Sequence, residues 1–138
     1  MRPTLAALLL SLGLAASGVA DCLSWGPGAA SLSGKLVSET FPGPPNYESI
    51  AKGDQPETHW ILLLEKPVCV DGVDDLGQGH LEAGVERIQL VLTPELHKKH
   101  RASLGGIVEV TGMFMAAVSG HHHTRVLLEA TELRESER

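Results

Sequence analysis

The order of five strand-like runs, with one helix-like segment between the third and the fourth, most constrains what this chain can fold into. The runs cover residues 31–41, 59–70, 85–93, 107–119 and 126–133, and the helix-like segment covers 94–104. Three strands, a helix and two strands follow one another in a Greek-key barrel of the OB type. We therefore predict an all-β fold with one short helix, an OB-like five-stranded Greek-key barrel. Another small barrel or a sandwich is the alternative.

The strand assignments depend on how the apolar residues repeat. Residues 85–93 alternate between apolar and polar, which is typical of a strand with one buried face. Residues 60–64 are apolar on both faces and indicate a central or strongly curled strand. Thr93 before Pro94 predicts a helix N-cap followed by the first helical residue. Gly112 inside the fourth run predicts a bulge.

Residues 1–20 have the parts of a secretory signal peptide: a positive start, an apolar stretch over residues 5–16, and small residues before a cleavage point after Ala20. The apolar stretch is shorter than the roughly 20 residues that span a membrane. We expect cleavage, no stable membrane anchor, and export to the periplasm or outside the cell. Residues 21–138 then form a single OB-like domain, and 133–138 are expected to be a charged, frayed tail.

Cys22 and Cys69 are the two cysteines of the sequence. In an oxidising compartment, two cysteines most simply form one disulfide. That bond would tie the start of the mature chain to its middle. Metal ligation or redox catalysis by these cysteines is the alternative, but the sequence has no C-x-x-C motif to support it.

The charge of the mature chain bears on its partners. Residues 21–138 carry ten Lys or Arg and seventeen Asp or Glu, a net charge of −7. Such a surface repels the phosphates of nucleic acid, and the chain has few aromatic residues on which bases could stack. We therefore expect no nucleic acid among the partners.

A long proline-rich segment joins the first two runs and continues to Thr58. A connection of this length in a compact domain is usually functional or disordered. Its prolines stiffen the chain, and its aromatic residues give it surface to bury. We predict an ordered binding loop; simple packing over one barrel end is the alternative. Its residues are Phe41, Pro42, Pro44, Pro45, Asn46, Tyr47 and Glu48.

A second long connection, residues 71–84, is rich in acidic side chains. It contains Asp74, Asp75, His80 and Glu82. Their spacing is not that of a calcium-binding loop, which has fixed acidic positions, a glycine and a terminal glutamate. We therefore predict a solvated acidic loop.

Three consecutive histidines, His121, His122 and His123, lie between the last two runs. Imidazole is the commonest protein ligand for transition metals, and an extended chain would place His121 and His123 on one face. These histidines could bind zinc or copper, with a third ligand from His122, His80 or His59. Alternatively, the triplet only forms hydrogen bonds to the neighbouring loop and holds Tyr47 or Glu48 in place.

Several motifs together resemble a family of small exported bacterial proteins known as a domain of unknown function. The motifs are residues 40–50 (Thr-Phe-Pro-Gly-Pro-Pro-Asn-Tyr-Glu-Ser-Ile), 66–70 (Lys-Pro-Val-Cys-Val), 88–92 (Ile-Gln-Leu-Val-Leu) and 120–124 (Gly-His-His-His-Thr). The resemblance covers nearly all of the mature chain. It implies an exported, single-domain bacterial protein, and no established activity comes with it.

Three functions remain open on the sequence alone. We favour an exported small binding or interaction module, which uses the proline-rich loop and the histidine triplet to hold an unknown protein, peptide or small polar ligand. The alternative is a zinc- or copper-binding protein. A hydrolytic enzyme is the third and least favoured, because the sequence lacks the G-x-S-x-G, H-E-x-x-H and phosphate-binding glycine motifs.

Overall fold

A computed structural model describes residues 21–26 and 28–137, so the expected signal peptide lies outside the described residues. The strands are β1 (Leu23–Ser24), β2 (Ala30–Pro42), β3 (Pro56–Asp71), β4 (Glu82–Val91), β5 (Ile107–Ala116) and β6 (Val126–Glu135). The α-helix is α1 (Pro94–His100), and short 3-10 turns cover Ile50–Lys52 and Arg101–Ser103. Among these residues, no helix has the length and apolar character needed to cross a membrane.

Strands β2 to β6 close into a five-stranded barrel in the order β2-β3-β4-β6-β5, and β5 pairs with β2 to complete the ring. Only the β4–β6 seam of this ring is parallel, over Gln89↔Leu127, Leu90↔Leu128 and Val91↔Glu129. Helix α1 lies between β4 and β5. This is the topology of an OB barrel, and the predicted fold class is confirmed.

The barrel core consists of the inward-facing residues of all five strands and is apolar. Its fully buried members include Leu36, Leu62, Ile88, Val108, Val110, Phe114 and Leu128. Two glycines let strands approach closely: a Cβ on Gly34 would collide with the carbonyl oxygen of Leu63, and one on Gly112 with that of Glu129. The register shifts between Thr111 and Gly112, where the bulge was predicted.

The predicted disulfide is confirmed, because Cys22 is bonded to Cys69. It holds the two-residue strand β1 against the end of β3, where Leu23 pairs with Val70 in parallel. Strand β1 was not predicted, since two residues are too few to show alternation. The disulfide thus fastens the N-terminal end of the described chain to the barrel.

Several element ends differ from the sequence predictions: β3 begins at Pro56 rather than at 59, β4 covers Glu82–Val91 rather than 85–93, and β5 ends at Ala116 rather than at 119. The expected frayed tail is wrong for residues 133–135, because β6 continues to Glu135 and pairs with Val108 of β5. Arg134 is ion-paired with Glu109 there, so the charges that suggested fraying in fact join the two strands. The helix-like segment is also shorter in α-helical form: α1 ends at His100 and a 3-10 turn follows.

The outer face of the barrel is not uniformly exposed to solvent. Ile61 lies between Trp60 and Leu62, which point into the core, so its side chain faces outward; it is nevertheless fully buried. Gln89, its register partner on β4, is also buried. The β5–β6 connection folds back over this part of the barrel and bonds to Gln89. The candidate site lies at this covered patch.

Candidate metal centre

Strand β3 supplies the first two side chains of the site. Glu57 and His59 are two residues apart in an extended strand and lie on the same outer face as Ile61. Phe41 of β2 is the register partner of Glu57. The strand pairing therefore places an aromatic ring directly beside the carboxylate.

The histidine triplet reaches the same face because Gln89 holds its backbone. The side-chain amide of Gln89 donates to the His121 carbonyl oxygen at 2.9 Å, and its oxygen accepts from the backbone N–H of His123 at 2.7 Å. The hydroxyl of Thr124 accepts from the backbone N–H of Gln89 at 2.9 Å and donates to the carbonyl of Val126 at 2.7 Å. These bonds satisfy buried polar groups and fix the path of the loop.

Two imidazoles, those of His59 and His123, converge on one carboxylate oxygen of Glu57. Nε2 of His123 lies 2.6 Å from Oε1 of Glu57, and Nε2 of His59 lies 3.2 Å from the same oxygen. These three potential ligand atoms are all within 4.8 Å of one another. Phe41 stacks on His123 with ring centroids 4.2 Å apart and planes within 4° of parallel. The His123 side chain is only 11% exposed, so the stack and the barrel fix its orientation.

His121 contacts the opposite oxygen of Glu57 rather than joining this group. Its Nδ1 donates to Oε2 of Glu57 at 2.7 Å, and its Nε2 lies 3.2 Å from the hydroxyl of Tyr47. In the neutral imidazole, Nε2 is the acceptor, so the Tyr47 hydroxyl donates to it. A chain of hydrogen bonds therefore runs from Tyr47 through His121 to Glu57, and it orients the carboxylate.

His122 points away from Glu57, and its backbone N–H closes a turn by donating to the carbonyl oxygen of Ser119 at 3.0 Å. Its Nδ1 accepts a hydrogen bond of 2.9 Å from the backbone N–H of Val118. Burial lowers the pKa of His122, and the neighbouring His121 and His123 lower it further. The three consecutive histidines thus have three different environments: His123 shares one oxygen of Glu57 with His59, His121 bonds the other oxygen, and His122 faces Val118.

The carboxylate of Glu57 is strongly stabilised in its charged form. Burial raises its pKa, but hydrogen bonds from His123, His121 and His59 together outweigh burial and lower the pKa to about 2. Glu57 therefore stays ionised at neutral pH. A fixed negative charge beside two imidazole nitrogens is a donor set that borderline metal ions such as Zn²⁺ and Cu²⁺ prefer.

The proline-rich loop is ordered around a buried aspartate. Asp54 accepts hydrogen bonds from the backbone N–H groups of Asn46, Glu48 and Ser49, at 2.8 to 2.9 Å. Those backbone donors at Ser49 and Glu48 lower the pKa of Asp54. Within this frame Tyr47 adopts a φ of 58°, and its ring packs against Gly120, where a Cβ would lie 2.8 Å from the ring carbons. The loop therefore touches the histidine segment through Tyr47.

The predicted binding-loop residues divide into two groups. Phe41 and Tyr47 contact histidines of the cluster through their side chains. Pro42 ends β2, and Pro44, Pro45, Asn46 and Glu48 build the turn around Asp54. Glu57 and Gln89 were not predicted from the sequence. The spacing of Glu57 and His59 on one strand face was the available signal for the first of these.

The acidic connection is more structured than we expected. Asp74 is buried, and it accepts hydrogen bonds from the backbone N–H groups of Leu76 and Gln78. His80 lies between two carboxylates, with Nδ1 at 3.1 Å from Asp74 and Nε2 at 2.9 Å from Glu82. The prediction of a solvated acidic loop is wrong at Asp74, because turn N–H groups and an imidazole surround that carboxylate.

One comparison with known proteins finds a match. Residues 87–134 match the model of a domain of unknown function, DUF4431. This DUF4431 domain is consistent with the expected relation to a family of unknown function. The matched segment runs from β4 to β6 and includes the histidine triplet, whereas Glu57 and His59 precede it. No curated protein matches the chain.

Proposed function

We propose that this protein, which contains a DUF4431 domain, is a transition-metal-binding module that holds zinc or copper through Glu57, His59 and His123. The observation that carries the proposal is the meeting of these three side chains from two distant segments of the chain. Their ligand atoms lie within 4.8 Å of one another, on the covered outer face of the barrel.

The distances suit a tetrahedral ion after a small adjustment. With bonds of about 2.0 to 2.1 Å, ligand atoms of tetrahedral zinc are roughly 3.3 Å apart. Oε1 of Glu57 is 3.2 Å from His59 Nε2 and 2.6 Å from His123 Nε2. Each imidazole would bind the ion through the lone pair of Nε2 and carry its proton on Nδ1, and the three ligand atoms, which lie within 4.8 Å of one another, would adjust their separations to the ion. Three protein ligands leave the fourth position for water or a bound molecule.

The surroundings of the three ligands are those of an outer shell that orients a metal site. His121 donates to the second oxygen of Glu57, Phe41 fixes the plane of the His123 ring, and Gln89 holds the backbone of the loop. Outer-shell hydrogen bonds of this kind typically change metal affinity by about 10- to 100-fold. We therefore assign His121 as a positioning residue for Glu57.

We further propose that the protein acts after export, and that the same end of the barrel serves as an interaction surface. The signal-like residues 1–20 and the Cys22–Cys69 bond support export. The connection after β2 and the connection after β5 join the first to the second and the fourth to the fifth barrel strand. OB-fold proteins commonly bind ligands with these two loops. This second candidate function, the binding of a peptide or a small polar ligand, rests on the analogy with other OB-fold proteins.

The full chain, expressed without a tag and purified from the periplasm without chelator, tests the metal proposal. We expect about one zinc or copper per chain by elemental analysis, and tight zinc binding in calorimetry after the metal is stripped. His123→Ala and Glu57→Gln each remove a ligand and should weaken zinc binding by more than 100-fold, beyond the roughly 10- to 100-fold cost of losing an outer-shell contact. His121→Ala should fall within that smaller range.

His122→Ala is the matched control, because it removes a neighbouring histidine that faces Val118 and not Glu57. Zinc affinity should change by less than about threefold in this variant. Equal losses in His122→Ala and His123→Ala would mean that the run of histidines binds metal without the Glu57 cluster. A metal-free, folded wild-type protein that binds no added zinc or copper would refute the proposal.

A further inference from the structure

A cavity of about 260 Å³ lies on the outer face between β4 and the segment that leads into β6. It is lined by residues 84–87 on one side and 123–125 on the other. The parallel pairing of β4 with β6 begins at Gln89↔Leu127. The segments that precede these residues in the two strands are not paired with each other, and the cavity lies between them. The cavity thus adjoins His123, one of the proposed metal ligands.

Two arginines line this cavity and are held in place by the protein. Arg87 of β4 forms an ion pair with Glu39 of β2. Because β3 lies between those strands, the Arg87 side chain reaches over β3 from the level of Leu63, its own register partner, toward Glu39. The ion pair with Glu39 restricts the guanidinium, which still has N–H groups that Glu39 does not use.

Arg125 approaches from the opposite wall. It donates to Glu82 at 2.6 Å and to the carbonyl oxygens of Ala83 and Gly84 at 3.1 and 3.4 Å. These contacts restrict the side chain at the mouth of the cavity, and its Nε–H takes part in none of them. Two preorganised guanidinium groups favour an anion with oxygen acceptors.

His123 lines the same place, and it supplies a third donor when its Nε2 binds a metal. Its Nε2 faces Glu57, and no residue in the described part of the chain is hydrogen-bonded to its Nδ1. An imidazole that uses Nε2 toward a metal carries its proton on Nδ1, where it needs an acceptor. Glu86 also lines the cavity, and Glu39 and Glu82 are ion-paired with the two arginines, so the donors available to a ligand are the arginine N–H groups that these pairs leave unused.

We propose that this cavity is a binding site for a small oxyanion, a carboxylate or a phosphate, which accepts hydrogen bonds from Arg87 and Arg125, and also from Nδ1 of His123 when its Nε2 binds a metal. The inference goes beyond the proposed metal site and does not require it, because the protein itself holds both arginines. The whole chain has a formal net charge of −6, so its surface in general repels anions. Saturable anion binding therefore points to a local cationic site.

Titration of the full chain with inorganic phosphate and with acetate, in metal-free and zinc-loaded form, tests the proposal. Binding is followed by NMR shifts of the backbone N–H groups of Thr124 and Arg125 and by calorimetry. We expect saturable binding of at least one of the two anions in both forms. Arg87→Gln and Arg125→Gln should each weaken it roughly tenfold, the usual cost of a charge-assisted hydrogen bond.

Arg134→Gln is the control, because Arg134 is an exposed arginine paired with Glu109 outside the residues that line this cavity. It should leave anion affinity unchanged, and Arg125→Lys should restore only part of the loss. Three results would overturn the proposal: no saturable binding of either anion, equal weakening by Arg134→Gln, or binding that appears only with zinc and ignores both cavity arginines. The last result would leave the metal site intact with the anion as its fourth ligand.

Discussion

The side-chain oxygen of Gln89 accepts a hydrogen bond of 2.7 Å from the backbone N–H of His123. The nitrogen of the same amide donates to the carbonyl of His121. One buried glutamine on β4 thus binds both ends of a two-residue step in the connection between β5 and β6. The orientation of His123 toward Glu57 depends on this bracket.

Gln89→Leu keeps the size of the side chain but removes both hydrogen bonds. The change leaves the His123 N–H and the His121 carbonyl without their partner, at a cost of about 1 to 3 kcal/mol of unfolding free energy. Zinc affinity should fall by about 10- to 100-fold, as for other outer-shell losses. Denaturant unfolding and zinc calorimetry measure the two effects.

Gln78→Leu is the matched control, because Gln78 is exposed and forms its hydrogen bonds to Asp74 through the backbone. We expect a change within about 0.5 kcal/mol and normal zinc affinity. Comparable destabilisation by the two substitutions would show that the bracket does not support the loop.

Gly120→Ala tests the contact between the two loops. The added methyl group would lie 2.8 Å from three ring carbons of Tyr47, so the ring must move and its hydrogen bond to His121 is lost. We expect zinc affinity to fall by about 10-fold or more, because Glu57 loses the orienting chain from Tyr47. The NMR signals of Tyr47 and His121 should shift together.

Gly79→Ala controls for the loss of a glycine in a surface connection. A Cβ at Gly79 meets no atom within 4 Å, and its φ does not lie in the left-handed region. Its zinc affinity should match that of the wild type. Retention of the Tyr47–His121 contact in Gly120→Ala would contradict the packing described for the two loops.

The Glu57 cluster should make the free energy of unfolding depend on pH in the acidic range. The pKa of Glu57 is lowered to about 2 in the folded protein, against 4.5 as its ordinary value. A carboxyl group whose pKa is lower in the folded state than in the unfolded state stabilises the fold at any pH above the unfolded-state pKa. This stabilisation is lost as the pH falls from about 4.5 toward 2. Unfolding free energy should therefore decrease over this range, and Glu57→Gln should flatten the decrease.

Glu65→Gln provides the comparison, because Glu65 is an exposed glutamate on the same strand. Its profile should follow the wild type in urea unfolding between pH 2 and 5. Identical profiles for Glu57→Gln and the wild type would mean that the three histidines do not hold this carboxylate in its charged form.

His80 makes the opposite contribution at higher pH. Hydrogen bonds to Glu82 and Asp74 raise its pKa above 6.5, so the folded state favours the imidazolium. Stability from a raised pKa is present below about 6.5 and is lost as the pH rises through the folded value. In the wild type, we expect the free energy of unfolding to decrease as the pH rises above about 6.5. This decrease should be absent in His80→Gln and present in the control variant His97→Gln.

An NMR titration of the histidine rings checks the same point directly. The His80 ring should titrate above pH 6.5, and the nearby indole of Trp25, stacked on it at 4.9 Å, should shift with it. A His80 ring that titrates at or below 6.5 would refute the arrangement between the two carboxylates.

Much of the fold followed from the sequence because the barrel strands alternate strongly and their ends are marked. Thr93 before Pro94 gave the start of α1, and the Thr93 hydroxyl does accept from the backbone N–H of Leu96 at 3.2 Å. Gly112 marked the bulge. These signals are local, so a single sequence is enough to carry them.

The site was harder to predict because its members come from separate strands and loops. The periodicity of His121 and His123 placed both on one face, but it could not indicate that they reach opposite oxygens of Glu57. Gln89 lies at a polar position of an alternating strand, where nothing in the local pattern distinguishes an outward, buried glutamine from a solvated one. Register and closure of the barrel decide both, and neither is written in local spacing.

The parallel seam between β4 and β6 has three registered pairs, and its first member is Gln89. Gln89 is therefore both the first paired residue of this seam on β4 and the residue that is hydrogen-bonded to His121 and His123. A ligand that reduces the motion of the histidine segment would make local opening of the seam less frequent. Hydrogen exchange of the backbone N–H groups of Leu90 and Leu128 would then be slower. Thermodynamic linkage works in both directions, so a change that destabilises the β4–β6 pairing should also weaken ligand binding.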